Sequence, residues 1–121
     1  MTAPALPFSK LRQARGLVFL SGEMPFADDG RIPEGIAAQT ALVLRRIGAT
    51  LATVGLGLDD VVQVAVHLVD GADFAAFNAE YRQHFRDPLP VRTTVVAGLL
   101  APGARLEVTI TAAQPDWRAR R

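Results

Sequence analysis

Two side chains stand out for chemistry because each is isolated in an otherwise uncharged stretch. Arg92 sits in Pro-Val-Arg-Thr-Thr-Val-Val, residues 90–96, at the start of a β-branched run. Strand alternation places Arg92, Thr94 and Val96 on one face and Val91, Thr93 and Val95 on the other. A guanidinium with hydroxyl neighbours is suited to gripping a planar carboxylate through two parallel hydrogen bonds. The plainer alternative is a strand-end arginine that reaches solvent or pairs with an acid on the next strand. Glu107 is the only acid of Arg105–Ala112, where it shares a face with Arg105, Thr109 and Thr111. A lone carboxylate beside a half-buried sheet can serve as a general base toward water. Alternatively, Arg105 simply pairs with it.

Other reactive types offer less. Ser21 ends an apolar run and precedes Gly22, so its hydroxyl can hydrogen-bond a ligand. It lacks the G-x-S-x-G turn and His-Asp support that a nucleophile needs. His67 and His84 fall on different elements, with no spaced acid cluster and no cysteine, so no metal site is expected. The absence of cysteine also excludes disulfides and thiolate chemistry. Gly55-Leu56-Gly57 reads as a helix stop rather than a phosphate loop, and no cofactor is expected. A net charge of +1 and 7% aromatic content give no electrostatic or stacking signature for nucleic acid.

These residues need a scaffold, and 121 residues allow one domain with a sizeable core. The alternation of Phe8–Ala14 and the apolar run Leu17–Gly22 suggest a hairpin turning at Arg15-Gly16. Apolar residues recur at helical spacing from Ile36 to Val54, and Asp59–Val69 is strand-like. In that strand Val62, Val64, Val66 and Leu68 are expected on one face, and Gln63, Ala65 and His67 on the other. A second helix is expected from Asp73 to Phe85, with Phe74, Phe77, Tyr81 and Phe85 as its apolar stripe. Asp70 and Asp73 would cap or charge its start. Two further strands, Val91–Ala97 and Arg105–Ala112, follow. The order β-β-α-β-α-β-β predicts an α+β domain whose mixed sheet carries two helices on one face. Its other face must be buried elsewhere, and self-association is the simplest way. Residues 1–114 are expected to form the domain, and Pro115–Arg121 a mobile basic tail. No apolar run is long enough for a membrane span, and Met1–Leu6 does not read as a secretion signal, so a cytoplasmic location is expected.

Several segments, in order, resemble the reactive-intermediate deaminase (Rid/YjgF) family over nearly the whole chain. Pro7-Phe8-Ser9 is similar to its P-Y-S element, and Leu17–Pro25 (LVFLSGEMP) to its L-V-F-x-S-G-Q-x-P strand and turn. Ala38-Gln39-Thr40 matches the A-Q-T that opens its long helix. LDDVVQVAVHLVDGADFAAFNAEYRQHF, PVRTTV and RLEVTITA resemble its later strand-helix unit, its P-x-R-[ST] and its final L-E-[IV] strand. The resemblance implies a chorismate-mutase-like domain assembling as a homotrimer, with active sites in clefts between subunits. It further implies hydrolytic deamination of 2-enamine or 2-imino acids to 2-oxo acids and ammonia. In that case Arg92 binds the substrate carboxylate and Glu107 positions and activates water. Ser21, Gly22 and Phe8 would line the pocket, while the Thr94 backbone carbonyl would help hold the water and Asn78 would support the cleft. Phe8 stands where the deaminases usually carry tyrosine, Lys10 and Glu23 where glutamine is common, and Thr109 where a second acid is found. A non-catalytic trimer that binds a small carboxylate or an amino-acid-derived metabolite is the alternative, and a ribonuclease a third reading.

Overall fold

The computed structural model describes residues 5–115, so the expected tail lies, apart from Pro115, outside the described residues. The chain enters through a hairpin of β1 (Leu11–Ala14) and β2 (Leu17–Leu20). Arg15 and Gly16 connect them with φ of 52° and 79°. Two consecutive positive φ values make the tight turn whose twist matches that of paired strands. The strand starts at Leu11 rather than Phe8. Ser21 binds this entering segment instead: its hydroxyl donates to the Ser9 carbonyl at 2.6 Å and its N–H to Lys10 at 3.1 Å.

Helix α1 (Ile36–Ala52) buries Ile36, Val43, Leu44, Ile47 and Leu51, the residues its periodicity marks as apolar. It closes in a Schellman pattern: Gly55 N–H donates to Ala52 and Leu56 N–H to Leu51, with Gly55 at φ 77°. A short 3-10 turn, Leu58–Asp60, leads into β3 (Val61–Leu68). A bulge between Val61 and Gln63 resets the alternation there, so Val61, not Val62, joins Val64, Val66 and Leu68 in the core. Helix α2 (Phe74–Tyr81) is preceded by a 3-10 turn in which the Asp70 carboxylate accepts from Ala72 N–H. It is shorter than its pattern suggests. Gln83 and His84 form tighter bonds back to Glu80 and Tyr81, which turn the chain while Phe85 stays buried.

Strands β4 (Val91–Val96) and β5 (Leu106–Ala113) complete a five-stranded sheet in the order β1-β2-β5-β3-β4. Only β3 and β4 run parallel. The α+β order expected from sequence is therefore the observed one. Both helices cover one sheet face, where Val18, Val64, Val66, Leu106, Val108 and Ile110 meet Leu44, Ile47 and Phe77. Burying each of the larger side chains contributes about 1.5–3 kcal/mol. Gln39 is a polar exception in this interior. Its amide donates to the Pro33 and Gly103 carbonyls at 2.9 and 3.0 Å, and its oxygen accepts from Arg105 N–H at 2.7 Å. One side chain thereby ties two loops to the start of β5.

No helix among the described residues covers the opposite face. It carries Gln63, Ala65 and His67 from β3, Glu107, Thr109 and Thr111 from β5, Leu17 and Phe19 from β2, and Val91, Thr93 and Val95 from β4. Leu17, Phe19, Val91 and Val95 are all exposed there.

Candidate functional site

The register of β4 decides where Arg92 points. Arg92 pairs with Val64 and Thr94 with Val66, so both lie on the helix-covered side of the sheet. Because β4 is an edge strand, the Arg92 side chain reaches past the sheet margin and lies against α2. Its Nη2 donates to Asn78 Oδ1 at 2.8 Å. Its Cζ stands 4.7, 5.3 and 5.8 Å from the ring centroids of Tyr81, Phe77 and Phe74. Rings at these distances attract a cation through their negative faces and fix its plane. Among the described residues no acid pairs with this guanidinium. It borders a cleft of about 330 Å³ together with Asn78, Tyr81, Arg82, Leu89 and Pro90. Burial pushes the Tyr81 hydroxyl above its ordinary value near 10, while the adjacent Arg92 charge opposes that rise. The guanidinium lies close enough to oppose the rise both by its charge and by a polar contact, although the buried hydroxyl meets no full hydrogen-bond geometry among the described residues.

Glu107 lies on the other side of the sheet, paired across the strands with His67. The segment after β2 brings pocket residues to it. Glu23 and Val108 exchange backbone hydrogen bonds of 2.7 and 3.1 Å, which lay Gly22 against the Glu107 side chain. A Cβ on Gly22 would stand 2.7 Å from Glu107 Oε2, so the close approach requires glycine. The Glu107 carboxylate makes no hydrogen bond or ion pair among the described residues. Ser21 and Gly22 also line a second cleft, of about 310 Å³, with Phe8, Lys10, Met24 and Phe26.

The expected site residues thus fall into two groups. Arg92, Thr94 and Asn78 belong to the α2 side of β4, and Phe8, Ser21, Gly22 and Glu107 to the open side near β2. Within one chain the structure does not bring Arg92 and Glu107 together. Nor does Arg105 pair with Glu107. It makes a two-pronged bond to Asp73, at 2.8 and 2.9 Å, which raises its already high pKa. Asp73 therefore anchors β5 to the start of α2. Sequence reasoning missed the ring platform. Phe74, Phe77 and Tyr81 read only as a core stripe, yet their outer edge carries Arg92. The one available signal was an uncharged helix face, with Asn78 between Phe77 and Tyr81, and no acid to take the arginine.

The family model described as "Endoribonuclease L-PSP" matches residues 1–114. This chain belongs to that family, the Rid/YjgF proteins. Protein mmf2 of Schizosaccharomyces pombe, named as mitochondrial, is 35% identical over 111 residues, covering 89% of this chain and 88% of its own length. A YjgF-family protein from Neisseria meningitidis superposes with a TM-score of 0.83 at 34% identity, over 93% of this chain and 92% of the other. E. coli TdcF, solved with bound serine, superposes with a TM-score of 0.82 at 28% identity, over 92% and 91%. The Rid/YjgF fold therefore accounts for nearly the whole chain. The mitochondrial relative overturns the expectation of a cytoplasmic location. Such an expectation rested on the absence of a secretion signal, and so similar a Rid/YjgF protein is named for another compartment.

Proposed function

We propose that this protein hydrolyses 2-imino acids, and the enamines that tautomerise to them, to 2-oxo acids and ammonia. One observation carries the reading. Arg92 is a half-buried guanidinium held in place by Asn78 and three aromatic rings, faces a cleft, and has no anionic partner of its own among the described residues. Such a group favours a ligand carboxylate, which a planar fork can take through two parallel bonds.

A second residue then has to supply water. Water oxygen adds to C2 of the iminium while Glu107 takes a water proton. Glu107 returns that proton to the nitrogen and accepts the proton of the new hydroxyl as the C2–N bond breaks, leaving 2-oxo acid and ammonia. Since iminium carbons are electrophilic in themselves, orientation and one base suffice. Arg92 and Glu107 face opposite sides of one sheet, so the complete site takes Arg92 from one copy and Glu107 from the next. The uncovered face, with Leu17, Phe19, Val91 and Val95 exposed, favours a homotrimer closed head to tail around it. Asn78 and Thr94 would accompany Arg92, and Ser21, Gly22 and Phe8 would accompany Glu107.

A binding function without turnover is the second reading. The E. coli relative holds serine, an amino acid whose carboxylate would suit Arg92 as well as an imino acid's does. The endoribonuclease named in the family description finds less support: His67 lies on β3, whereas His84 follows α2 and pairs with Glu80 at 2.8 Å.

An amino-acid oxidase generating imines in the presence of semicarbazide separates these readings. Deaminase activity lowers the semicarbazone yield, and Arg92→Ala abolishes that effect. With Glu107→Gln turnover is lost while a 2-oxo acid still binds. If the wild-type protein leaves the yield unchanged but binds the 2-oxo acid, the binding function stands alone.

A further inference from the structure

The cleft beside Ser21 and Gly22 has a largely apolar lining. Its walls include Leu6, Phe8, Met24 and Phe26. Leu6 and Phe8 are 70% and 60% exposed and Phe26 is 39% exposed, which places three large apolar groups together on the surface. Phe8 adds a bare ring, with no polar group, to this wall. The charged groups at the rim are spent on one another. Arg46 Nε pairs with Glu23 at 2.9 Å, Arg46 Nη1 with Asp28 at 3.3 Å, and Lys10 Nζ approaches Glu23 at 3.8 Å. The remaining unsatisfied surface is apolar. Its volume of about 310 Å³ is at the lower end of metabolite-sized sites. Gly22 belongs to its lining, and the Glu107 carboxylate, which does not, lies against the same glycine.

We propose that this cleft is the side-chain subsite, and that it selects imino acids with large apolar side chains, as derived from leucine, methionine or phenylalanine. The inference rests on the deaminase reading for its placement, because the side chain at C2 must leave the reacting carbon close to Glu107. A methyl group would leave the Phe8 and Met24 walls wet. Each additional buried methylene favours binding by up to about fourfold, so an apolar chain of leucine size gains on the order of tenfold or more.

Two measurements test this. Imines are generated from leucine, phenylalanine, alanine and glutamate, and kcat/KM is compared for each. The leucine and phenylalanine imines are expected to lead the alanine imine by about tenfold or more, and the glutamate imine to trail them. Phe8→Ser and Phe26→Ser, both at exposed positions, should shrink that lead separately. Calorimetry with 4-methyl-2-oxopentanoate and pyruvate gives the same comparison without catalysis. Equal or better values for alanine or glutamate imines, or tighter binding of pyruvate, overturn the subsite. No turnover of any imine, with 4-methyl-2-oxopentanoate still preferred, removes the deaminase reading and leaves the subsite supported.

Discussion

At the scale of single residues, the arrangement turns on fixed positions more than on shifted acidities. Gly22 illustrates this. A methyl group there would meet Glu107 Oε2 at 2.7 Å, and the flexible carboxylate, rather than the backbone, would give way. Gly22→Ala is therefore expected to lower kcat by about tenfold to a hundredfold through misplacement of the base, with a melting temperature close to wild type. Thermal unfolding and imine turnover on the same preparation check both halves. Tyr81 supports a pH prediction. Burial raises its pKa above 10.0 in the folded protein, so the unfolded chain ionises first. The resulting stability is fully present below pH 10 and is lost as pH rises through the folded value. Tyr81→Phe should remove this alkaline loss. Because the hydroxyl meets no full hydrogen-bond geometry among the described residues, the substitution should cost little stability at neutral pH.

At the scale of elements, most of the architecture was legible in the pattern of residues. The helical period of α1, its glycine stop, the positive-φ turn at Arg15-Gly16 and the order of strands all follow from local chemistry. What was not legible depends on tertiary geometry. The bulge at Val62 exchanges which valine is buried, and alternation alone gives no sign of it. The partner of Arg105 was misjudged because Asp73 is distant in sequence but adjacent in space. Likewise, nothing in the spacing of Arg92 and Glu107 revealed that β4 and β5 turn them to opposite sides. Their assignment to one site comes from the resemblance of ordered segments, not from periodicity. Gln39 is where these elements depend on a single polar side chain. Gln39→Leu would leave the Pro33 and Gly103 carbonyls and the Arg105 N–H without this partner. A loss of about 2–4 kcal/mol, read as a lower urea midpoint, is expected.

At the scale of the whole molecule, the described residues leave one sheet face uncovered and hold Arg92 and Glu107 on opposite sides of the sheet. Both gaps close if copies assemble so that the β4 edge of one meets the β2 side of the next. Light scattering should then give about three times the 13.0 kDa chain mass. The central claim, that each site joins Arg92 of one subunit to Glu107 of its neighbour, can be tested by complementation. Arg92→Ala and Glu107→Gln subunits, each inactive alone, are unfolded together, refolded as an equal mixture and assayed for imine hydrolysis. Random assembly restores both groups at about a quarter of the sites, so activity should recover to roughly that fraction of wild type. A mixture as inactive as its parents, formed from verified mixed assemblies, would contradict the shared site.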